Sequence, residues 1–124
     1  MLPKKNRLDL KKEFLQIKKS GRVIKRGLFD FLFQTQRPIE NYSILTSKFQ
    51  PPAFAFIVSK KIDKRATKRN RIKRLLSEAV RSFLPQLQPG IRGIFLVKKE
   101  IMEKNFAEIK NEVELIFKKE KLLK

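Results

Sequence analysis

The sequence of 124 residues contains no cysteine, no histidine and no tryptophan, and only 12 acidic residues. Without cysteine or histidine it can form no thiol or imidazole nucleophile, no Ser-His-Asp triad and no zinc finger. The lack of cysteine also gives no sign of an oxidising compartment. No apolar run approaches the roughly 20 residues that span a bilayer, and no apolar signal-peptide core follows the basic N-terminus. We therefore expect a soluble, cytoplasmic protein with few options for side-chain catalysis.

Positive charge is abundant, with 31 Lys or Arg and a formal net charge of +19. A hydrophobic fraction of 41%, including 11 Phe, favours a folded chain, because that much apolar surface can offset the entropy of ordering it. The length predicts a single domain over residues 1–124. So large a positive charge predicts a polyanionic partner, either nucleic acid or an acidic membrane surface.

The charge is concentrated in two segments. Residues 1–26 hold ten Lys or Arg and two acids, and residues 60–74 hold nine Lys or Arg and only Asp63, so that each segment has a net charge of +8. The tail, residues 98–124, has eight Lys against six Glu and resembles an ordinary solvated helix. Like charges packed as closely as in residues 60–74 repel one another, which favours a functional reason for them.

The hydrophobic periodicity predicts the order helix, strand, strand, helix, strand, helix. Asp9 is a candidate cap for the first helix and Gly21 its end. The predicted elements are a helix over 10–20, a β-region over 23–34 that Gly27 could divide, a strand over 53–59, a helix over 66–84, a strand over 91–97, and a last helix with the stripe Met102, Phe106, Ile109, Val113 and Ile116. Breaks are predicted at 37–52 and 85–93. This order is typical of an α/β fold (an α+β sandwich), with a small sheet of three to four strands and helices packed on it.

The basic residues of the middle segment gather at the N-terminal end of the central helix. Free N–H groups and the helix dipole already make that end positive, so cations there cost about 0.3–1 kcal/mol each before solvent screening. An arriving phosphate would reverse the sign of that cost. We predict that this segment binds phosphates. The alternatives are a solvated charged helix and a localisation signal. The candidate residues are Lys60, Lys61, Lys64, Arg65, Lys68, Arg69, Asn70, Arg71, Lys73 and Arg74.

Most of the phenylalanines are predicted to be core residues. Phe83, Phe106 and Phe117 lie on or beside helix stripes, and the strand phenylalanines alternate as a buried sheet face requires. Phe14, on the first helix, is the best candidate for stacking on a nucleic-acid base. A core position for Phe14 is the alternative.

The middle segment resembles a motif of the bacterial ribonuclease P protein family. There a strand ending in a Ser/Ala-Lys-Lys turn leads into Arg-Asn-Arg-Ile-Lys-Arg. Here the motif stands as Val58-Ser59-Lys60-Lys61 followed by Arg69-Asn70-Arg71-Ile72-Lys73-Arg74-Leu75. The flanks also match, through Asn6-Arg7-Leu8, Glu13-Phe14 and Gly21. Length, basicity and element order are similar along the whole chain.

This resemblance implies a fold like the second domain of ribosomal protein S5, with a mixed sheet and a left-handed βαβ crossover through the basic helix. It also implies an RNA-binding subunit of an endoribonuclease that removes the 5′ leader of precursor tRNA. In that family the RNA subunit holds the active site and uses Mg²⁺, and the basic helix contacts this RNA. A cleft between the first helix and the sheet receives the leader, which points to Phe14 and Lys18 in this chain.

The chain departs from the family pattern at two places. Ala53-Phe54-Ala55 stands where the family commonly has Arg-x-Gly, and Lys18 stands where a second aromatic residue is common. The pair of stacking aromatics that lines the family's leader cleft is therefore incomplete at Lys18 in this chain, and Ala53 removes the role of the family's Arg at that position. Lys18 could replace a stacking contact with a phosphate contact.

Three other functions compete with this interpretation. One is a non-catalytic, ribosomal-type RNA-binding protein. Another is a protein-only nuclease. The acidic residues argue against it, because metal-dependent cleavage needs converging carboxylates and the acidic residues are scattered along the sequence. A membrane binder would need the apolar face of the central helix, which the sheet requires for its core. We thus expect RNA partners, no catalytic or metal-binding residue in this chain, no membrane partner and no required protein partner.

Overall fold

Four β-strands and three α-helices follow one another along residues 2–35 and 51–124, which are the residues that the structure, a computed structural model, describes. The helices are α1 (Leu10–Ser20), α2 (Ala66–Arg81) and α3 (Phe106–Lys119). The strands are β1 (Arg22–Lys25), β2 (Phe29–Thr35), β3 (Ala53–Ile57) and β4 (Ile91–Val97). Short 3-10 helices lie at Lys4–Asn6, Leu84–Gln86 and Lys99–Glu103. The predicted element order is confirmed, and Gly27 does divide the first β-region.

The strands form one mixed sheet in the order β1-β2-β4-β3. Strand β2 is antiparallel to both of its neighbours, whereas β3 is parallel to β4. Two adjacent parallel strands need a long crossover, and α2 supplies it as the helix of a βαβ unit. The small mixed sheet with helices packed on it is therefore confirmed. The left-handed sense of this crossover stays a prediction.

One face of the sheet carries the main core, which is built from phenylalanines. Phe95 lies at its centre, with ring centroids 4.6 Å from Phe31 and 5.0 Å from Phe29. Helices α2 and α3 cover this face, and Phe117 of α3 approaches Phe54 to 5.8 Å. Since burying each such side chain contributes about 1.5–3 kcal/mol, these rings stabilise the fold rather than offer stacking surfaces. The core interpretation of the strand phenylalanines is confirmed.

The opposite face carries a smaller apolar cluster beneath α1. The buried members are Leu8, Ile17, Leu32, Ala53, Ala55 and Ile94, with Leu10, Phe14, Ile57 and Leu96 packed against them and partly exposed. Alternation along the strands places the strand members of this cluster on the face opposite the strand phenylalanines, as their period-two spacing predicts. This face therefore has a helix over its middle and half-exposed apolar side chains at its margin.

Helix α1 begins and ends where its sequence predicts. The Asp9 carboxylate caps it by accepting a hydrogen bond from the Lys11 N–H at 3.1 Å. Gly21 follows the last residue with φ of −83°, a conformation open to any residue. There is no room for a side chain at this position, because a Cβ would lie 2.5 Å from the Ile17 carbonyl oxygen and 2.6 Å from the Phe33 carbonyl oxygen.

Helix α2 buries the predicted stripe but ends at Arg81 instead of Leu84. Ile72, Leu76 and Ala79 are inaccessible to solvent, as their spacing predicts. A proline ring clashes with the carbonyl four residues earlier, which for Pro85 is that of Arg81, so the helix ends there. Pro85 instead lies in the 3-10 helix Leu84–Gln86.

The apolar stripe predicted for the last helix starts at Met102, four residues before the first residue of α3. Met102 lies in the 3-10 helix Lys99–Glu103, outside α3. Phe106 is 38% exposed, so its predicted core position is wrong. The reason is the cap: the Asn105 side chain accepts from the Glu108 N–H at 2.9 Å, so α3 starts at Phe106 and its first turn projects past the core. Ile109 is the first residue of α3 in the core.

Two smaller differences concern strand ends and loops. Strand β3 ends at Ile57, two residues before the predicted end, although Val58 stays buried. The second predicted break ends at Gly90, whose φ of 85° suits glycine, because β4 begins at Ile91. Most of the break predicted at 37–52 lies outside the described residues.

Candidate RNA interface

The basic segment, residues 60–74, forms a turn after β3 and the first half of α2. The turn is closed by the Ile62 N–H, which donates to the Ser59 carbonyl at 3.0 Å. Arg65 occupies the N-cap position of α2, and its side chain makes no capping hydrogen bond. No acid lies in the first turn. This helix end therefore keeps the positive potential that the sequence predicts for it.

Asp63 and Arg65 form a salt bridge just before the helix. Arg65 donates from its side chain to both carboxylate oxygens, at 3.1 and 2.9 Å, and from its backbone N–H at 2.9 Å. These hydrogen bonds lower the pKa of the Asp63 carboxyl from 3.8 to about 2, with the side-chain bonds contributing most. Arg65 is thus partly neutralised by its own turn.

Arg69 is turned toward the protein backbone. Its guanidinium donates to the carbonyls of Asp63 and Lys64 at 2.9 and 2.8 Å, and its side chain is half-buried. Arg69 therefore links the turn to the helix through backbone carbonyls, beside the pair of Arg65 with Asp63. Its contact with RNA stays a prediction.

The remaining residues of the segment point mostly to solvent. Within the described part of the chain no hydrogen bond or ion pair is found for their side chains. Lys73 is half-buried beside the apolar stripe, and the exposed residues are Lys60, Lys61, Lys64, Lys68, Asn70, Arg71 and Arg74. The structure thus brings one concentrated, uncompensated group of cations to a helix N-terminus, which suits the binding of phosphates.

The second predicted region is the cleft beside α1. Phe14 is half-buried against the smaller apolar cluster, together with Ile57 and Leu96 of the sheet. The Lys18 ammonium lies 5.9 Å from the centroid of the Phe14 ring, within the range of a cation–π contact. The structure therefore places the two predicted residues side by side on one edge of α1. A role for either residue in binding stays a prediction.

An ion pair beneath α1 is absent from the sequence prediction. Arg92 of β4 is 8% exposed, and its guanidinium donates to both carboxylate oxygens of Glu13 in α1. The available signal is a single arginine within an otherwise apolar strand, Ile91–Val97, where a buried charge needs a partner. Seventy-nine positions separate the two residues, so sequence proximity could not identify that partner.

The acids are dispersed in salt bridges. Glu112 accepts from Arg26 at 3.1 Å, Asp30 lies 3.0 Å from the Lys98 ammonium, and Glu114 lies 2.7 Å from that of Lys118. Among residues 2–35 and 51–124, no group of three acids could hold a metal ion. No helix in this part of the chain is long and apolar enough to cross a membrane.

Comparison with known proteins identifies relatives along nearly the whole chain. The Ribonuclease P family model matches residues 2–121. The ribonuclease P protein component of Nostoc punctiforme is 35% identical over 82% of this chain and 80% of its own length. That of a Synechococcus species is 30% identical over 99% of this chain and 87% of its own length.

Solved structures show the same fold. A ribonuclease P protein mutant of Staphylococcus aureus, described as defective in mRNA degradation activity, matches with a TM-score of 0.78, at 19% identity, over 95% of this chain and 90% of its own. The protein from Thermotoga maritima matches with a TM-score of 0.71, at 23% identity, over 91% of this chain and 96% of its own. The family model and the relatives cover most of the chain, and the chain belongs to the ribonuclease P protein family.

Proposed function

We propose that this protein is the RNA-binding subunit of ribonuclease P, and that it assists a catalytic RNA in removing the 5′ leader from precursor tRNA. The observation that carries the proposal is the basic segment of residues 60–74, which presents uncompensated cations at the N-terminal end of α2. Membership of the family supports the same conclusion. The RNA subunit and precursor tRNA are the partners in this proposal, and the cytoplasm is where it operates.

The RNA subunit is assigned to the basic segment. Its exposed cations stand on one rigid helix and the turn before it, so they can neutralise neighbouring phosphates together. Each neutralised phosphate releases counterions, which makes such binding strongly dependent on salt. The free N–H groups at the start of α2 add hydrogen-bond donors for the same anions.

The 5′ leader is assigned to the cleft beside α1. Phe14 can stack on an unpaired base, and Lys18 next to it can contact a phosphate, a combination typical of sites for single-stranded nucleic acid. Ile57 and Leu96 supply the half-exposed apolar floor. This cleft can therefore hold a flexible strand without reading its sequence.

Mg²⁺ enters this proposal as an ion of the RNA. The described residues provide no cluster of oxygen ligands for it, so they do not fit a protein-held metal site, and we derive no step through such an ion. What this chain supplies is binding and orientation of the two RNA molecules.

The decisive experiment is reconstitution with a purified bacterial ribonuclease P RNA. Labelled precursor tRNA and Mg²⁺ are incubated with the protein alone, with the RNA alone and with both. We expect no cleavage by the protein alone, and faster cleavage by the complex than by the RNA at near-physiological salt. Cleavage without the RNA would contradict the proposal, and a failure to stimulate the RNA would favour a structural RNA-binding protein.

The assignment of the leader is tested by Phe14→Ala in the same complex. Loss of one stacked base costs roughly 1–3 kcal/mol, so affinity for precursor tRNA should fall at least about five-fold while affinity for mature tRNA changes little. Phe106→Ala is the matched control, because Phe106 is an exposed phenylalanine on α3, which covers the other face of the sheet. An equal loss for both RNA molecules would assign Phe14 to the core instead.

A further inference from the structure

Helix α1 crosses the sheet and is attached to it at both ends. Before the helix, the Leu8 N–H donates to the Phe54 carbonyl of β3 at 3.0 Å. After the helix, Gly21 lies against the Phe33 carbonyl of β2, too close to admit a Cβ. Strand β4 lies between these two strands, so the middle of α1 passes above it.

The ion pair between Glu13 and Arg92 is located at that middle point. Arg92 projects from β4 and holds both carboxylate oxygens of Glu13, with side chains only 10% and 22% exposed, respectively. The neighbour of Arg92 on β3 is Ala53, whose methyl group leaves space for the guanidinium on this face. Breaking such a shielded pair by removing one partner leaves a charge poorly compensated, so the pair constrains α1 strongly.

The rotation of α1 about its own axis depends on this pair. At about 100° per residue, Glu13 and Phe14 lie on opposite flanks of the buried stripe that contains Leu10 and Ile17. Lys18 lies on the same flank as Phe14, one turn later. A contact that fixes Glu13 on one flank fixes the rotation of α1. It therefore also fixes how far above the sheet Phe14 and Lys18 lie, and which way they point, on the other flank.

We propose that Glu13 and Arg92 are positioning residues for the 5′ leader: their ion pair holds α1 at the rotation that presents Phe14 and Lys18 to the cleft. This inference rests on the proposed function, because it takes the leader as the occupant of that cleft. Arg92 itself is not a leader contact here, since its guanidinium is buried and already paired with a carboxylate.

The test is a double-mutant cycle in the reconstituted complex, using Glu13→Gln, Arg92→Gln and the double variant. Affinity is measured for precursor tRNA with and without a leader. Each single variant should weaken the leader-dependent part of binding about five-fold, and the double variant should be no worse than either, because both remove the same ion pair. The slope of leader affinity against salt should change equally in the two single variants, because both displace Lys18 from its phosphate by the same rotation of α1.

A direct phosphate contact by Arg92 gives the opposite pattern and would overturn the inference. Arg92→Gln would then reduce the salt slope by about 0.7, and Glu13→Gln, by freeing the guanidinium, would strengthen leader binding. Equal weakening for RNA with and without a leader would also overturn it, because the pair would then serve the fold alone.

Glu112→Gln is the matched control. It breaks a half-buried salt bridge of the same type, with Arg26, but on α3 and across the sheet from α1. We expect it to leave the leader-dependent part of binding unchanged. If a single variant unfolds, exchanging the charges by Glu13→Arg together with Arg92→Glu should restore both folding and leader binding, and failure of this exchange to restore leader binding in a folded protein counts against the pair.

Hydrogen exchange of the free protein separates this inference from the proposed function. Both single variants should accelerate exchange of the α1 amides after Glu13 without accelerating that of α3. If wild-type binding is independent of the leader, the proposed function fails, whereas unchanged α1 exchange in the variants shows that the pair does not position the helix.

Discussion

At the scale of single residues, Gly21 matters because the backbone leaves no room beside it. Its φ of −83° would suit any residue, so conformational freedom is not the reason for glycine. The carbonyls of Ile17 and Phe33 close the space instead, and backbone atoms cannot move aside as a side chain can. Gly21 is thus the point at which α1 meets the sheet.

Gly21→Ala should therefore destabilise the protein by about 1–3 kcal/mol, as overpacking of a tight site does. Thermal or urea unfolding followed by circular dichroism measures this. Gly27→Ala is the control, since a Cβ there meets nothing within 4 Å, and it should leave stability unchanged or slightly raised. Equal stability of both variants would refute the steric explanation.

Asp63 gives the protein a local dependence on pH. Its pKa falls from 3.8 to about 2 because Arg65 donates hydrogen bonds to the carboxylate. A lowered pKa in the folded state means that the stabilisation is fully present above the unfolded value and is lost as the pH falls through the folded value. The stability difference between wild type and Asp63→Asn should therefore be constant well above pH 4, decline below it and vanish as the pH falls through about 2. A difference that does not change over this window would contradict the assignment.

At the scale of elements, the start of α2 separates cations that fasten the turn from cations that remain free. Arg65 and Arg69 are held by the turn, whereas Lys68, Arg71 and Arg74 are exposed and their side chains form no hydrogen bond or salt bridge within the described chain. Replacing the last three by alanine should weaken binding to the ribonuclease P RNA and lower the salt slope by about one for each phosphate that is no longer neutralised. Filter binding over a range of salt concentrations measures both.

The control for this variant removes the same charge from the nearly balanced tail. Lys99, Lys119 and Lys124 are exposed and lie outside the basic segment, so their replacement by alanine tests net charge alone. We expect a much smaller change in affinity and slope. Similar losses in the two variants would mean that total charge, and not its position on α2, determines RNA binding.

Most elements could be predicted from the sequence because their signals are local. The Asp9 cap and the apolar stripe define α1, and the short apolar run after Gly90 defines β4 at its observed bounds. Prediction from local signals fails at Phe106. Its spacing fits the stripe of α3, but a position in the first turn of a helix is buried only if the neighbouring elements extend that far, which periodicity cannot reveal.

At the scale of the whole molecule, the pairing of distant segments was beyond the reach of the sequence. Strand order β1-β2-β4-β3 and the pair of Glu13 with Arg92 both depend on how the crossover through α2 returns the chain. The basic segment was predictable as a candidate site because its charge is contiguous. The ion pair beneath the cleft was not, since its two residues meet only in the folded chain.

The net charge of +19 stresses the folded state as a whole, since like charges repel most in a compact chain. The variant with alanine at Lys68, Arg71 and Arg74 carries three fewer charges, so at low salt it should be more stable than the wild type. Adding inorganic phosphate at constant ionic strength should stabilise the wild type more than the variant, because an anion that binds only the folded wild type stabilises it by mass action. A relative gain of about 1 kcal/mol corresponds to roughly 4 °C in Tm for a chain of this size. Thermal unfolding of both proteins over a phosphate series measures it, and equal gains in the two would show that phosphate merely screens charge and has no site at the start of α2.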